Sequence, residues 1–156
     1  MIKLTRIDDR LVHGQVAFTW VTALGIDCLI VANDKVAKDD FQKMAMGLAK
    51  PPAAKLLILT VADAVTFLND AKSKNLKILL LINCVKDAFT LSEGVSEIKS
   101  VNFGGIRTKE GARLISKAVA VSNDDITIIK QMADKGLELE IRQVPTDKKQ
   151  LVENLI

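Results

Sequence analysis

Apolar and polar positions follow two rhythms along the chain, and their alternation sets out the elements. Ile2 to Ile7 alternates as a short first strand, and the polar loop Asp8 to His13 follows its end. Gly14 then opens a helix in which Val16, Trp20, Ala23 and Leu24 share one face, and Gly25 closes it as a left-handed cap. Asp27 to Ala32 is an apolar strand after its first residue, turned by Asn33 and Asp34. Phe41, Met44, Ala45, Leu48 and Ala49 recur at helical spacing, and Pro51 and Pro52 forbid continuation beyond Lys50.

Lys55 to Thr60 predicts a third strand, and Thr60 with Asp63 begins a helix to Asp70 with Val61, Ala64, Val65 and Leu68 inward. Leu76 to Asn83 is almost wholly aliphatic and is expected at the sheet centre. A short helix over Val85 to Glu93 leads to a strand from Ile98 to Phe103, ended by Gly104 and Gly105. Residues 106–122 are polar with a turn glycine and read as a hairpin or extended excursion. Ser122 caps a helix through Lys135 with Ile126, Ile129, Met132 and Ala133 inward, closed by Gly136. Leu137 to Val144 alternates as a half-exposed or edge strand, with Glu138, Glu140 and Arg142 on its polar side. Thr146 is expected to cap a terminal helix carrying Leu151, Val152 and Leu155.

Strand and helix alternate for most of this length, which predicts an α/β fold: an open, mainly parallel sheet with helices on both faces and an antiparallel excursion or edge near residues 106–122. The 156 residues suit a single domain over 1–156. In such sheets ligands sit at the carboxyl ends of strands. The loops at Asp8 to Gly14, Asn33 and Asp34, Asn83 and Cys84, and Gly104 and Gly105 are therefore the candidate site.

Composition narrows the chemistry. Aromatic residues make up 4% and tyrosine is absent, which leaves no stacking platform for nucleic acid. The net charge of +3 comes from interleaved signs, the usual pattern of a solvated surface. Cys28 and Cys84 stand apart in apolar runs and read as reduced, intracellular thiols. No run approaches the roughly 18 to 20 apolar residues of a membrane span, and the N-terminus has no extended apolar core, so a cytoplasmic protein is expected.

His13 is the only histidine, and it stands at a strand end before a helix whose free N–H groups and dipole favour an anion. A neutral imidazole is a good nucleophile near pH 7. Arg6 and Arg10 can bind phosphoryl oxygens through forked hydrogen bonds, or can simply pair with Asp8 and Asp9. Asp8 or Asp9 can accept from one imidazole nitrogen and leave the other unprotonated. One histidine and two scattered cysteines make no metal-ligand set. Neither nucleotide-loop pattern occurs, nor a serine nucleophile elbow. What remains is a phosphate-handling histidine without a cofactor. A non-catalytic anion-binding regulatory domain and a small hydrolase using His13 as base stay open beside a carrier.

The run from Arg6 to Val16 (RIDDRLVHGQV) with Trp20, the run from Val31 to Val36 (VANDKV), Asn102 to Ile106 (NFGGI) and Ala120 to Ser122 before a helix together resemble the enzyme IIB components of the mannose, fructose and sorbose class of the bacterial phosphotransferase sugar-uptake system. The resemblance covers essentially the whole chain. It implies that His13 takes a phosphoryl group on Nδ1 from a phosphorylated IIA protein and passes it to a sugar entering through a IIC/IID membrane permease, at the inner face of the membrane. It implies an active-site loop of Asp9, Arg10, Gly14 and Gln15, approached by Arg6 and Asp8, with Asn33, Asn83, Gly104 and Gly105 as further loop positions. The family commonly follows its central strand with Asn-Pro and a small hydroxyl residue, whereas this chain has Asn83, Cys84 and Val85.

Overall fold

A computed structural model describes residues 1–156. Seven strands form one sheet in the order β3-β2-β4-β1-β5-β8-β9, where β1 is Ile2–Asp8, β2 Cys28–Ala32, β3 Lys55–Leu59, β4 Ile78–Ile82, β5 Ser100–Gly105, β8 Glu138–Ile141 and β9 Gln150–Leu151. All neighbours are parallel except β8 and β9. The remaining two strands, β6 (Ala112–Leu114) and β7 (Ala120–Ser122), make a separate antiparallel hairpin, which settles the excursion at 106–122 as extended.

Five helices connect the strands: α1 Gly14–Leu24, α2 Asp40–Ala49, α3 Val61–Asn69, α4 Val85–Gly94 and α5 Asn123–Asp134. Side chains alternate across the pleat, so one strand feeds two cores. Leu29, Val31, Leu79 and Leu81 meet Trp20 and Val21 of α1, while Ile30, Ile78, Leu80 and Ile82 meet α3, α4 and α5 residues such as Leu68, Leu91 and Ile129. The caps are local and legible. Ser122 and Asp125 exchange two hydrogen bonds at the start of α5 (3.1 and 3.0 Å), and Gly25 ends α1 at φ 63°.

Four expectations need correction. The aliphatic strand β4 is buried throughout, but it lies between β2 and β1, and β1 takes the middle position. The apolar stripe of α2 faces outward: Phe41, Met44 and Leu48 are exposed, and Met46 is the residue of that helix that reaches the core. Periodicity names a helix's apolar face without showing that anything covers it. The strand β8 is not an edge, because β9 pairs beyond it, and Glu140 is buried instead of solvated. No terminal helix follows Thr146. Asp147 Oδ2 accepts from the N–H groups of Gln143 and Val144 (3.0 and 3.2 Å), turning the chain back so that β9 forms and a short 3₁₀ turn ends it.

The connection leaving β1 runs toward β2, and the one leaving β5 runs toward β8. The crevice between the carboxyl ends of β1 and β5 is therefore the switch point of this sheet.

Candidate functional site

His13 stands at that switch point as the residue capping the N-terminus of α1, with its side chain 23% exposed. It is held from behind by Asp8, the last residue of β1, whose carboxylate is 1% exposed. Asp8 Oδ2 lies 3.0 Å from His13 Nε2, and Oδ1 accepts from the Arg10 backbone N–H at 3.0 Å. The Arg10 Nε sits 3.5 Å from the same Oδ1, with half of its side chain in solvent. One buried carboxylate thus contacts both the imidazole and the half-exposed guanidinium beside it.

A carboxylate only accepts, so Nε2 is the donor and the neutral ring carries its proton there. Nδ1 takes no hydrogen bond from the chain and keeps its lone pair. The loop that delivers this geometry is bent: Leu11, buried, adopts φ 57°, and Gly14 adopts φ 37° at the first turn of α1. No side chain caps α1 and no acid lies in its first turn, so its leading N–H groups beside Gly14 and Gln15 stay available for an anion.

Arg6, expected among the phosphate ligands, is buried and directs its guanidinium to the chain itself. It is 2% exposed, on the strand below the loop, where it donates to Asn102 Oδ1 at 2.6 Å, to the Arg142 carbonyl at 3.0 Å and to Asp8 Oδ2 at 3.4 Å. Burial pulls its guanidinium down from the ordinary arginine value, opposed by Asp8 and Glu140. The guanidiniums of Arg6 and Arg142 both pack on the Trp20 ring (5.4 and 5.1 Å to the ring centre), and its Nε1 donates to the Gln143 carbonyl. Gly104 serves this buried group: a Cβ there would land on the Arg6 guanidinium. Gly105 faces the Asp8 carboxylate, and its carbonyl accepts from the Asp9 N–H.

Asp9 does not orient the imidazole. Its Oδ2 accepts from the backbone N–H and Nε of Arg107 (2.9 and 3.0 Å), tying the β1 loop to the β5 loop. Arg107 is the residue that sequence reasoning passed over, and its position two residues beyond Gly105 at a strand's carboxyl end was the available signal. With Arg10, Thr108, Lys117 and Gln143 it lines a cleft of about 510 Å³. Asn33 is buried and accepts from the Val36 N–H, Asn83 follows Ile82, the β4 partner of Ile7, and neither residue hydrogen-bonds to residues 8–14.

Fold and site together define an α/β protein that presents one imidazole, backed by a buried carboxylate, at the switch point of a parallel sheet. The family described as "PTS system sorbose subfamily IIB component" matches residues 2–156, and the chain belongs to that family. It is 36% identical over 156 residues to the mannose-specific EIIAB component of Escherichia coli (strain K12), covering all of this chain and 48% of that protein. The chain therefore spans about half the length of that relative. It is 35% identical over 147 residues to the sorbose-specific EIIB component of Lacticaseibacillus casei, covering 94% and 90% of the two chains. The crystal structure of the IIBSor domain of the sorbose permease from Klebsiella pneumoniae superposes with a TM-score of 0.94 at 27% identity, over 99% of this chain and 94% of that one.

Proposed function

We propose that residues 1–156 act as one cytoplasmic phosphoryl carrier. His13 accepts the group from a phosphorylated IIA protein and donates it to a sugar delivered by a IIC/IID permease at the inner face of the membrane. The observation that carries this reading is the division of the imidazole: Nε2 bound to Asp8, Nδ1 unbonded beside an uncapped helix N-terminus.

In the first step the Nδ1 lone pair forms the new P–N bond as the donor's P–N bond breaks. The ring gains cationic character, which the Asp8 carboxylate 3.0 Å away stabilises. In the second step a sugar hydroxyl oxygen bonds phosphorus, P–Nδ1 breaks, the neutral Nε2–H imidazole returns and the hydroxyl proton is released. Transfer of this kind rests on positioning and charge. Arg10 and the N–H groups around Gly14 and Gln15 supply that charge. The two partners take turns on the exposed rim around His13, in encounters of modest area.

Incubation with a phosphorylated IIA protein is expected to place one acid-labile phosphate on the chain, absent in His13→Ala. No label, or label that survives His13→Ala, would overturn the carrier reading in favour of an anion-binding domain. Free phosphate released without a labelled intermediate would point to hydrolysis.

A further inference from the structure

Arg6, Asn102 and Glu140 occupy directly paired positions on β1, β5 and β8, and all three are buried to 2% exposure or less. Their neighbours in each strand, Ile7, Phe103, Leu139 and Ile141, point into the core on the opposite face. The three therefore form a polar row across the sheet on the side covered by Trp20. Glu140 accepts from Asn102 Nδ2 at 3.1 Å and from Arg142 Nε and a terminal nitrogen at 3.0 and 2.9 Å. Asn102 Oδ1 accepts from Arg6 at 2.6 Å, Arg6 donates to Asp8 Oδ2, and the same oxygen meets His13 Nε2.

The chemistry of this row has a direction. Arg6 can only donate and Glu140 can only accept, so the residue between them must accept at one end and donate at the other. An amide does both. Its orientation is dictated from the Glu140 side, and through it so is the placing of Arg6, which shares Asp8 Oδ2 with the imidazole. A half-satisfied buried network is unstable, so a fault at Glu140 propagates toward His13.

We propose that Asn102 and Glu140 are positioning residues for His13: they fix Arg6, Arg6 fixes Asp8, and Asp8 keeps the imidazole proton on Nε2. This rests on the carrier reading for its kinetic consequence, although the geometry of the ring can be measured without it.

The experiment exchanges the two functional groups. In Glu140→Gln a donor faces donors, and in Asn102→Asp a carboxylate faces a carboxylate; each breaks the row. In the double variant N102D/E140Q the new carboxylate accepts from Arg6 and from the new amide and total charge returns, although Arg142, which donates to both Glu140 oxygens, keeps only one acceptor on the amide. Two readouts are taken on the full chain: ring ¹⁵N shifts of His13, which report the protonated nitrogen, and kcat and KM for phosphoryl acceptance from a phosphorylated IIA protein.

Each single variant is expected to populate the Nδ1–H form and to lose about tenfold in kcat at unchanged KM, and the double variant to recover part of both. Single variants with a wild-type ring, or a double variant as impaired as the two singles combined, would overturn the proposal. Should a single variant not fold, solvent exchange in the unaltered chain decides: slow exchange of the Asn102 amide and His13 Nε2–H protons supports the row, and fast exchange overturns it. If the unaltered chain takes no phosphate, the carrier reading fails while the ¹⁵N and exchange results still decide the positioning.

Discussion

Asp8 Oδ2 lies 3.0 Å from His13 Nε2 and 3.4 Å from an Arg6 terminal nitrogen, so one buried oxygen serves the reactive ring and the guanidinium beneath it. Replacing the charge while keeping the shape tests that sharing. Asp8→Asn is expected to slow phosphoryl acceptance by about 10- to 100-fold, because a mis-set imidazole no longer offers Nδ1 in line. It should also lower Tm, since Arg6 loses an anionic partner in a buried setting. Stopped-flow or quenched labelling with a phosphorylated IIA protein measures the first effect, and calorimetry the second. A variant that accepts phosphate at the original rate would show that Asp8 is only structural.

Adjacent glycines at the end of β5 make a contrast. A Cβ at Gly104 falls on the Arg6 guanidinium, which is boxed in by Asn102, Asp8 and Trp20, whereas a Cβ at Gly105 meets the Asp8 carboxylate only at ordinary contact distance, 3.6 Å. Gly104→Ala is expected to cost about 1 to 3 kcal/mol through overpacking, and Gly105→Ala less than about 1 kcal/mol. Urea unfolding of the two variants checks the order. Equal losses would mean that Arg6 can move aside freely.

The alternation of strands and helices, the caps of α1 and α5 and the position of His13 were legible because each is written in local sequence. Gly25, Ser122 with Asp125, and an aliphatic run such as Ile78 to Ile82 need no knowledge of the rest of the chain. The roles of the charged residues were not legible, because they depend on which strands become neighbours. Arg6 sits in a charged run that suggests a phosphate ligand, yet pairing with Asn102 and Glu140, far along the chain, buries it. Asp8 and Asp9 are adjacent, and the end of β1 at Asp8 leaves the first facing the imidazole while the turn that follows brings the second to Arg107. Alternation also marked Glu140 as solvated, whereas β9 pairs beside it and Asn102 and Arg142, the latter packed on Trp20, bury it.

The outward stripe of α2 has its own consequence for stability. Phe41 is 73% and Leu48 83% exposed, while Met46 on the other side of the helix is 8% exposed and joins Val36 and Ala54 in the core. Phe41→Ser and Leu48→Ser should each change stability by no more than about 0.5 kcal/mol, and Met46→Ala should cost about 2 to 5 kcal/mol. Denaturant midpoints separate the two classes. A large loss at Leu48 would place that side chain in a packed environment and reverse the assignment of the helix faces.

Asp87 gives the pH dependence its sign. It lies in the first turn of α4, and burial raises its carboxyl above the ordinary aspartate value; the hydrogen bond with Cys84 works against that rise, and the charge of Asp34 adds to it. A carboxyl raised on folding binds its proton more tightly in the folded state. Its contribution to stability is therefore fully present below the unfolded value, about 3.9, and is lost as pH rises through the raised folded value. At neutral pH the charged carboxylate is a net cost, so Asp87→Asn should raise Tm there. The gain should shrink as pH falls and vanish once the original residue is protonated in both states. Thermal melts of both proteins at several pH values between about 3 and 7 measure the difference, the range following from that reference value. A Tm difference that is constant across the range, or an Asn variant that melts lower at neutral pH, would show that the favourable placement of the charge at the start of α4 outweighs its burial.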